Sequence, residues 1–199
     1  MIRMAFALLL LVSAGSALAQ TEVPDAPFGL KWGVSQEQIK SMGIVLSNES
    51  DGNFGHQAEA KKLPKVVGDA DHVVLYFGND DKLFRVVAIS NEFNNDKTGI
   101  KATSRYDELK SALTERYGKG KSTEYSGGGD YMRQRDNFAY SLKTGDRYHF
   151  STWNAEGVNI ELSVRAQDMT TTYWVLIYTE NELGKAYEAS KKRKEKEAL

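Results

Sequence analysis

The chain has 199 residues, with 26 Lys and Arg against 27 Asp and Glu and a formal charge of −1 at pH 7. Such a near-neutral balance argues against nucleic acid as a partner, because binding to a phosphate backbone shows as a basic surface. There is no cysteine, which excludes disulfides and a thiolate nucleophile, so stability has to come from a packed core.

The chain opens like a secretory leader: Arg3 supplies a positive start, residues 4–12 an apolar run, and Ala17-Leu18-Ala19 a small-residue cleavage site. Residues 1–19 therefore read as a signal peptide and Gln20 as the start of a mature chain of about 180 residues with a charge of about −2. The apolar run is shorter than the ~20 residues that span a bilayer, and no later run is longer. No cysteine follows the cleavage site to carry a lipoprotein anchor. The expected location is periplasmic or secreted, and the expected protein is not membrane-spanning.

Residues 20–101 read as a first unit. Ser35 and Gln38 have capping-box spacing, Ile39 and Met42 form a helical apolar pair, and Gly43 fits a stop, which predicts one short helix. Residues 48–70 are polar and aperiodic and read as a long loop, with a strand near 62–67. β-Branched and aromatic residues at 73–77 and 83–89, around Gly78-Asn79-Asp80-Asp81-Lys82, predict a strand pair.

Residues 102–190 read as a second unit. Tyr106, Leu109, Leu113 and Tyr117 fall on one stripe of a helix over 105–117 that Gly118 ends. Residues 122–134, with Gly127-Gly128-Gly129, read as a loop. Four antiparallel strands are then expected between 137 and 179. Phe138, Tyr140 and Leu142 alternate, as do Tyr148 and Phe150, and residues 157–165 alternate strictly. Residues 172–178 are apolar on both faces, which suits a strand covered on both sides. A last helix starts near 180, with Thr179 and Glu182 at capping-box spacing, and residues 191–199 form a charged tail. The fold class is α+β, a mostly antiparallel meander with helices packed on one face, arranged as two unequal helix-plus-meander units.

Trp32-Gly33-Val34-Ser35 before a helix that ends at Gly43, beside a second helix ending in Tyr117-Gly118 with antiparallel strands behind it, resembles two groups of envelope proteins. One is the secreted β-lactamase-inhibitor protein and the other the small lipoproteins of the outer-membrane barrel-assembly machinery. The likeness implies a protein-binding sheet face. This chain departs from both, lacking the anchoring cysteine of the lipoproteins and the disulfides of the inhibitor. Ser126-Gly127-Gly128-Gly129-Asp130-Tyr131 is similar to the Ser-Gly-x-x-Tyr loop of periplasmic lysozyme inhibitors, with Tyr131 one position too far along.

The remaining motifs have plainer readings. Gly118-Lys119-Gly120-Lys121-Ser122-Thr123 ends like a phosphate-binding loop, but Glu115 stands where its first glycine belongs and the stretch follows a helix. Asn94-Asn95-Asp96-Lys97-Thr98-Gly99 copies half of a calcium loop, yet Arg105 occupies the position of its bidentate carboxylate. His56, His72 and His149 lack metal-ligand spacing, so no metal or cofactor is expected. The primary expectation is a non-enzymatic binding module of inhibitor or immunity type. It would grip another envelope or exported protein through Ser126, Asp130, Tyr131, Trp153 and Trp174. An envelope-assembly or small-ligand-binding accessory and a hydrolase with dispersed carboxylates are the alternatives, and oligomeric state stays open.

Overall fold

The computed structural model describes residues 23–52 and 55–199; the leader and its cleavage site lie outside them. One eight-stranded antiparallel sheet forms the body, with strand order β1-β2-β3-β4-β8-β7-β6-β5. The first four strands are β1 (Val45–Gly52), β2 (Gly55–Lys61), β3 (Ala70–Phe77) and β4 (Leu83–Ser90). The others are β5 (Lys121–Ser126), β6 (Arg147–Ala155), β7 (Val158–Ala166) and β8 (Thr172–Glu180). Each half is thus a four-stranded meander preceded by a helix, α1 (Gln36–Ser41) or α2 (Ile100–Tyr117), and the halves join where β4 pairs with β8. The predicted class, helices on a mostly antiparallel meander, is the observed one.

Local chemistry sets several boundaries. The Ser35 hydroxyl accepts from the Gln38 N–H while the Gln38 side chain accepts from the Ser35 N–H, so the capping box forms as its spacing requires. At the last helix, α5 (Asn181–Glu197), the cap is Glu180 instead of Thr179: its carboxylate accepts from the N–H groups of Glu182 and Leu183. That helix continues to Glu197 through the stretch expected to be a tail.

Several further expectations fail for physical reasons, and no strand forms near 62–67. Residues 48–52 and 55–61 are not loop but belong to β1 and β2; β1 is mostly exposed and held by pairing, and β2 buries only the small side chains of Ala58 and Ala60. Lys121–Ser126 is likewise a polar edge strand, and Asp130–Arg133 forms a helical turn, α3. Phe138–Thr144 is a helix, α4, not the first meander strand. Over seven residues Phe138 and Leu142 satisfy a helical period as well as an alternating one, and Gly145, at φ 81°, closes the helix where a hairpin turn was expected.

The core lies on one side of the sheet, which we call the inner face. Val164 stands opposite Trp174, Leu162 opposite Leu176 and Ile160 opposite Tyr178, and Tyr106, Leu109 and Leu113 of α2 pack over them. Ile39 of α1 and Phe138 of α4 join the same cluster. Two carboxylates, Asp69 half-buried and Asp96 buried, tie the elements around α2 and β8 together. Asp69, in the loop before β3, receives Arg105 Nε at 3.0 Å and Nη2 at 2.8 Å, and Trp174 Nε1 at 2.8 Å. Asp96 accepts from the N–H groups of Lys101 and Ala102 at the start of α2 and from the Thr172 hydroxyl of β8. The oxygens that resembled calcium ligands are therefore committed to a helix start, and Lys101 Nζ donates to the Asn94 carbonyl beside them.

Candidate functional site

The opposite, outer face is built by the alternate residues of the same strands. One row runs Thr152, Glu161, Ile177, Val87, Val74 across five strands, and the next runs Phe150, Ser163, Val175, Ile89, His72. At one end α5 packs on this face: Gly184 abuts Thr179 Cγ2 and Phe84, and Tyr187 stacks on Phe84 with centroids 5.1 Å apart. The central valines are shielded by neighbours on their own face, while Phe150, Tyr173, Ile177 and Ile89 stay half-buried.

This face is hollowed. The β6–β7 ladder ends at Phe150 opposite Ser163, although β6 starts at Arg147 and β7 runs to Ala166. The strands part there and leave a cavity of about 420 Å³ between Leu142, Lys143, Tyr148, Phe150, Arg165 and Tyr173. A second hollow of about 370 Å³ lies beside it, over Thr152, Asn159, Glu161, Ile177 and Thr179. Arg165 separates the two: its Nε donates to the Ser163 hydroxyl at 3.3 Å and its Nη2 lies 3.7 Å from Glu161 Oε1. The trough sets Phe150, Tyr173 and Ile177 among polar side chains that include Arg85, Arg165 and Glu161, a surface suited to a protein or an apolar ligand carrying a polar group.

The five residues expected to bind do not form one site. Trp153 is 3 % exposed and Trp174 is 0 % exposed, both under α2 on the inner face, so neither offers surface to a partner. In a strand apolar on both faces the sequence does not reveal which alternate set points inward, and the helices cover the set with Trp174. The outward set is Tyr173, Val175 and Ile177. Of the other three, Ser126 has its Oγ buried without a hydrogen-bond partner among the described residues, while Asp130 and Tyr131 are exposed on α3. Ser126 ends β5, the Gly127 N–H donates to the Asp146 carbonyl, and α3 holds Tyr131 60 % exposed, edge-on to Tyr140. Gly127 packs on the Tyr125 ring, which stacks on Tyr148, so an aromatic path joins this corner to the trough. The signal that sequence reading passed over is the pair Tyr125 and Tyr148, 56 % and 52 % exposed.

Chemistry elsewhere is sparse. His149 sits on the inner face against Tyr106 and Phe138, with ring centroids 4.6 and 5.9 Å away. Its Nε2 finds no hydrogen-bond partner among the described residues. Burial pushes this imidazole below its ordinary value; Lys110 and Arg147 act in the same direction, and Glu124 and Asp107 oppose it. Tyr106 Oη, Ser151 Oγ and Ser122 Oγ form a hydroxyl chain at 2.6 and 2.8 Å. The phosphate-loop lookalike leads into β5, with Gly120 pressed against the Trp153 indole. Among the described residues no three His, Asp or Glu side chains gather as a metal site, and no helix is long and apolar enough to cross a membrane.

No protein-family model, no curated protein and no solved structure matches this chain.

Proposed function

We propose that the protein is an exported, non-enzymatic binding module of inhibitor or immunity type that holds another envelope or exported protein against the outer face of its sheet. One observation carries this reading: Phe150, Tyr173 and Ile177 line a trough that no described helix covers along its length. Half-buried aromatic and aliphatic side chains in a hollow are the usual anchors of a protein interface. The leader-like start of the sequence supports export, and the pair of helix-plus-four-strand halves agrees with the likeness to inhibitor-type envelope proteins. Immobilised protein would capture a stoichiometric partner from periplasmic extract. The purified partner would then lose affinity at least tenfold for Ile177→Asp or Tyr173→Ala, and keep it for Lys196→Glu at the far end of α5. Equal affinity for all three variants would overturn the reading.

A second reading, a small-ligand-binding accessory, is favoured by the cavity where β6 and β7 part. It predicts that an apolar compound co-purifies and is displaced by filling the cavity with Ser163→Leu. A cavity empty by native mass spectrometry would remove it.

A further inference from the structure

The two edges of the sheet are finished differently. β1 carries a bulge between Ser47 and Ser50, Asn48 has a left-handed backbone at φ 52°, and Glu49 and Asp51 add like charges. These are the devices that stop an edge from pairing with another strand. β5 has neither the bulge nor the left-handed residue, and its two charges, Lys121 and Glu124, are of opposite sign. It pairs with β6 in unbroken register from Lys121 opposite Thr152 to Ser126 opposite Arg147, with no proline, no bulge and no residue of positive φ. Its other edge has no strand beside it among the described residues.

The side chains of β5 also suit one another. Lys121, Thr123 and Tyr125 point to the outer face, opposite Thr152, Phe150 and Tyr148, while Ser122 and Glu124 point inward. An antiparallel pair of identical strands must be centred on a residue, because centring on a peptide bond would set inner-face side chains against outer-face ones. Centring on Glu124 sets two carboxylates directly opposite, which is destabilising. Centring on Ser122 pairs only the first three residues of the strand. Centring on Thr123 pairs residues 121–125 and places each Lys121 beside the Tyr125 ring of the other copy and each Ser122 beside Glu124, with no like charges opposed.

We propose that β5 is the homodimer interface: two copies join antiparallel about Thr123 into a sixteen-stranded sheet. The two-fold axis then runs perpendicular to the sheet, so both outer faces look the same way. Tyr125 of each copy, stacked on its own Tyr148 and more than half exposed in one chain, then lies beside Lys121 of the other copy. The interface is isologous and small, which fits an equilibrium that shifts with concentration.

Because the chain has no cysteine, single cysteines give a clean test. Opposed Cα atoms in an antiparallel pair lie ~4.5–5.5 Å apart, within disulfide reach. Mild oxidation should therefore link Thr123→Cys into a dimer, whereas Lys121→Cys, facing Tyr125, should stay single. In sedimentation velocity the natural chain should move from monomer to dimer as concentration rises. Tyr125→Lys, which opposes two lysines twice over, should remain a monomer with its near-ultraviolet dichroism retained, and adding Lys121→Glu should restore the dimer. A natural chain that stays monomeric throughout, leaving β5 to a strand of another protein, would overturn the proposal. Equal cross-linking of the two cysteine variants, or no rescue by the charge swap, would do the same. None of these measurements involves the outer-face partner, so they stand apart from the function proposed above.

Discussion

The two faces of the sheet share their strands and differ in what lies over them. On β8, Trp174, Leu176 and Tyr178 point into the core while Tyr173, Val175 and Ile177 point out, and the two sets are almost equally apolar. A strand with one wet face is expected to alternate apolar and polar. Here the outward set is apolar without a helix above its centre. Hydrophobicity alone therefore does not separate a core from a docking surface; the distinction comes from which set the helices cover.

Trp174→Ala should give the largest effect. It removes a fully buried indole and the hydrogen bond to Asp69, and a loss of about 3–5 kcal/mol is expected in denaturant melts. If the loss were no larger than that of an outer-face truncation, the division into a covered and an open face would fail.

Asp69→Ala comes next, at about 2–3 kcal/mol, because it removes two hydrogen bonds from Arg105, which keeps Glu108, and leaves the Trp174 Nε1–H without its acceptor. This residue also has a pH signature. Burial works against the Asp69 carboxylate, but hydrogen bonds from Arg105 and Trp174 and the charge of Arg105 outweigh it and hold the group below the ordinary carboxyl value. Its stabilisation is present above the unfolded-state value and is lost as pH falls through the lower, folded-state one. In Asp69→Ala that part of the acid limb should disappear.

His149 produces a smaller effect on the other side of the scale. Its folded-state value lies below the ordinary imidazole value near 6.5, so between the two the unfolded chain binds the extra proton. Stability is fully present above that ordinary value and falls as pH drops toward the folded-state one. Urea midpoints measured from neutral to mildly acid pH should decline in the natural chain and flatten in His149→Gln, with the outer-face residues unaffected. The smallest change is expected for Tyr173→Ala, about 1 kcal/mol in stability, although the same substitution should lower partner affinity at least tenfold. A collapse of the fold in this variant would mean that Tyr173 is core.

Much of the architecture follows from local chemistry. The capping box at Ser35, the helical stripe from Tyr106 to Leu113 and the strict alternation in β7 each express their period within one element, so they are legible without coordinates. The edge strands β1 and β5, and β2 beside β1, are not: they take their form from pairing with neighbouring strands, and their sequences carry almost no burial signal, since β2 buries only Ala58 and Ala60. The corner at Ser126, Asp130 and Tyr131 was visible as a glycine-rich run, while the Tyr125–Tyr148 pair that connects it to the trough exists only through strand register.

By itself the sequence determined a thiol-free, near-neutral α+β chain that has to be held by an apolar core, because composition and short-range periodicity depend on neighbouring residues alone. Tertiary structure decided that Trp153 and Trp174 face inward, that β6 and β7 part, and that two meanders meet at β4 and β8. Those outcomes depend on which face receives the helices and on pairing between residues such as Val87 and Ile177, far apart along the chain, and side-chain alternation is the same whichever face is buried.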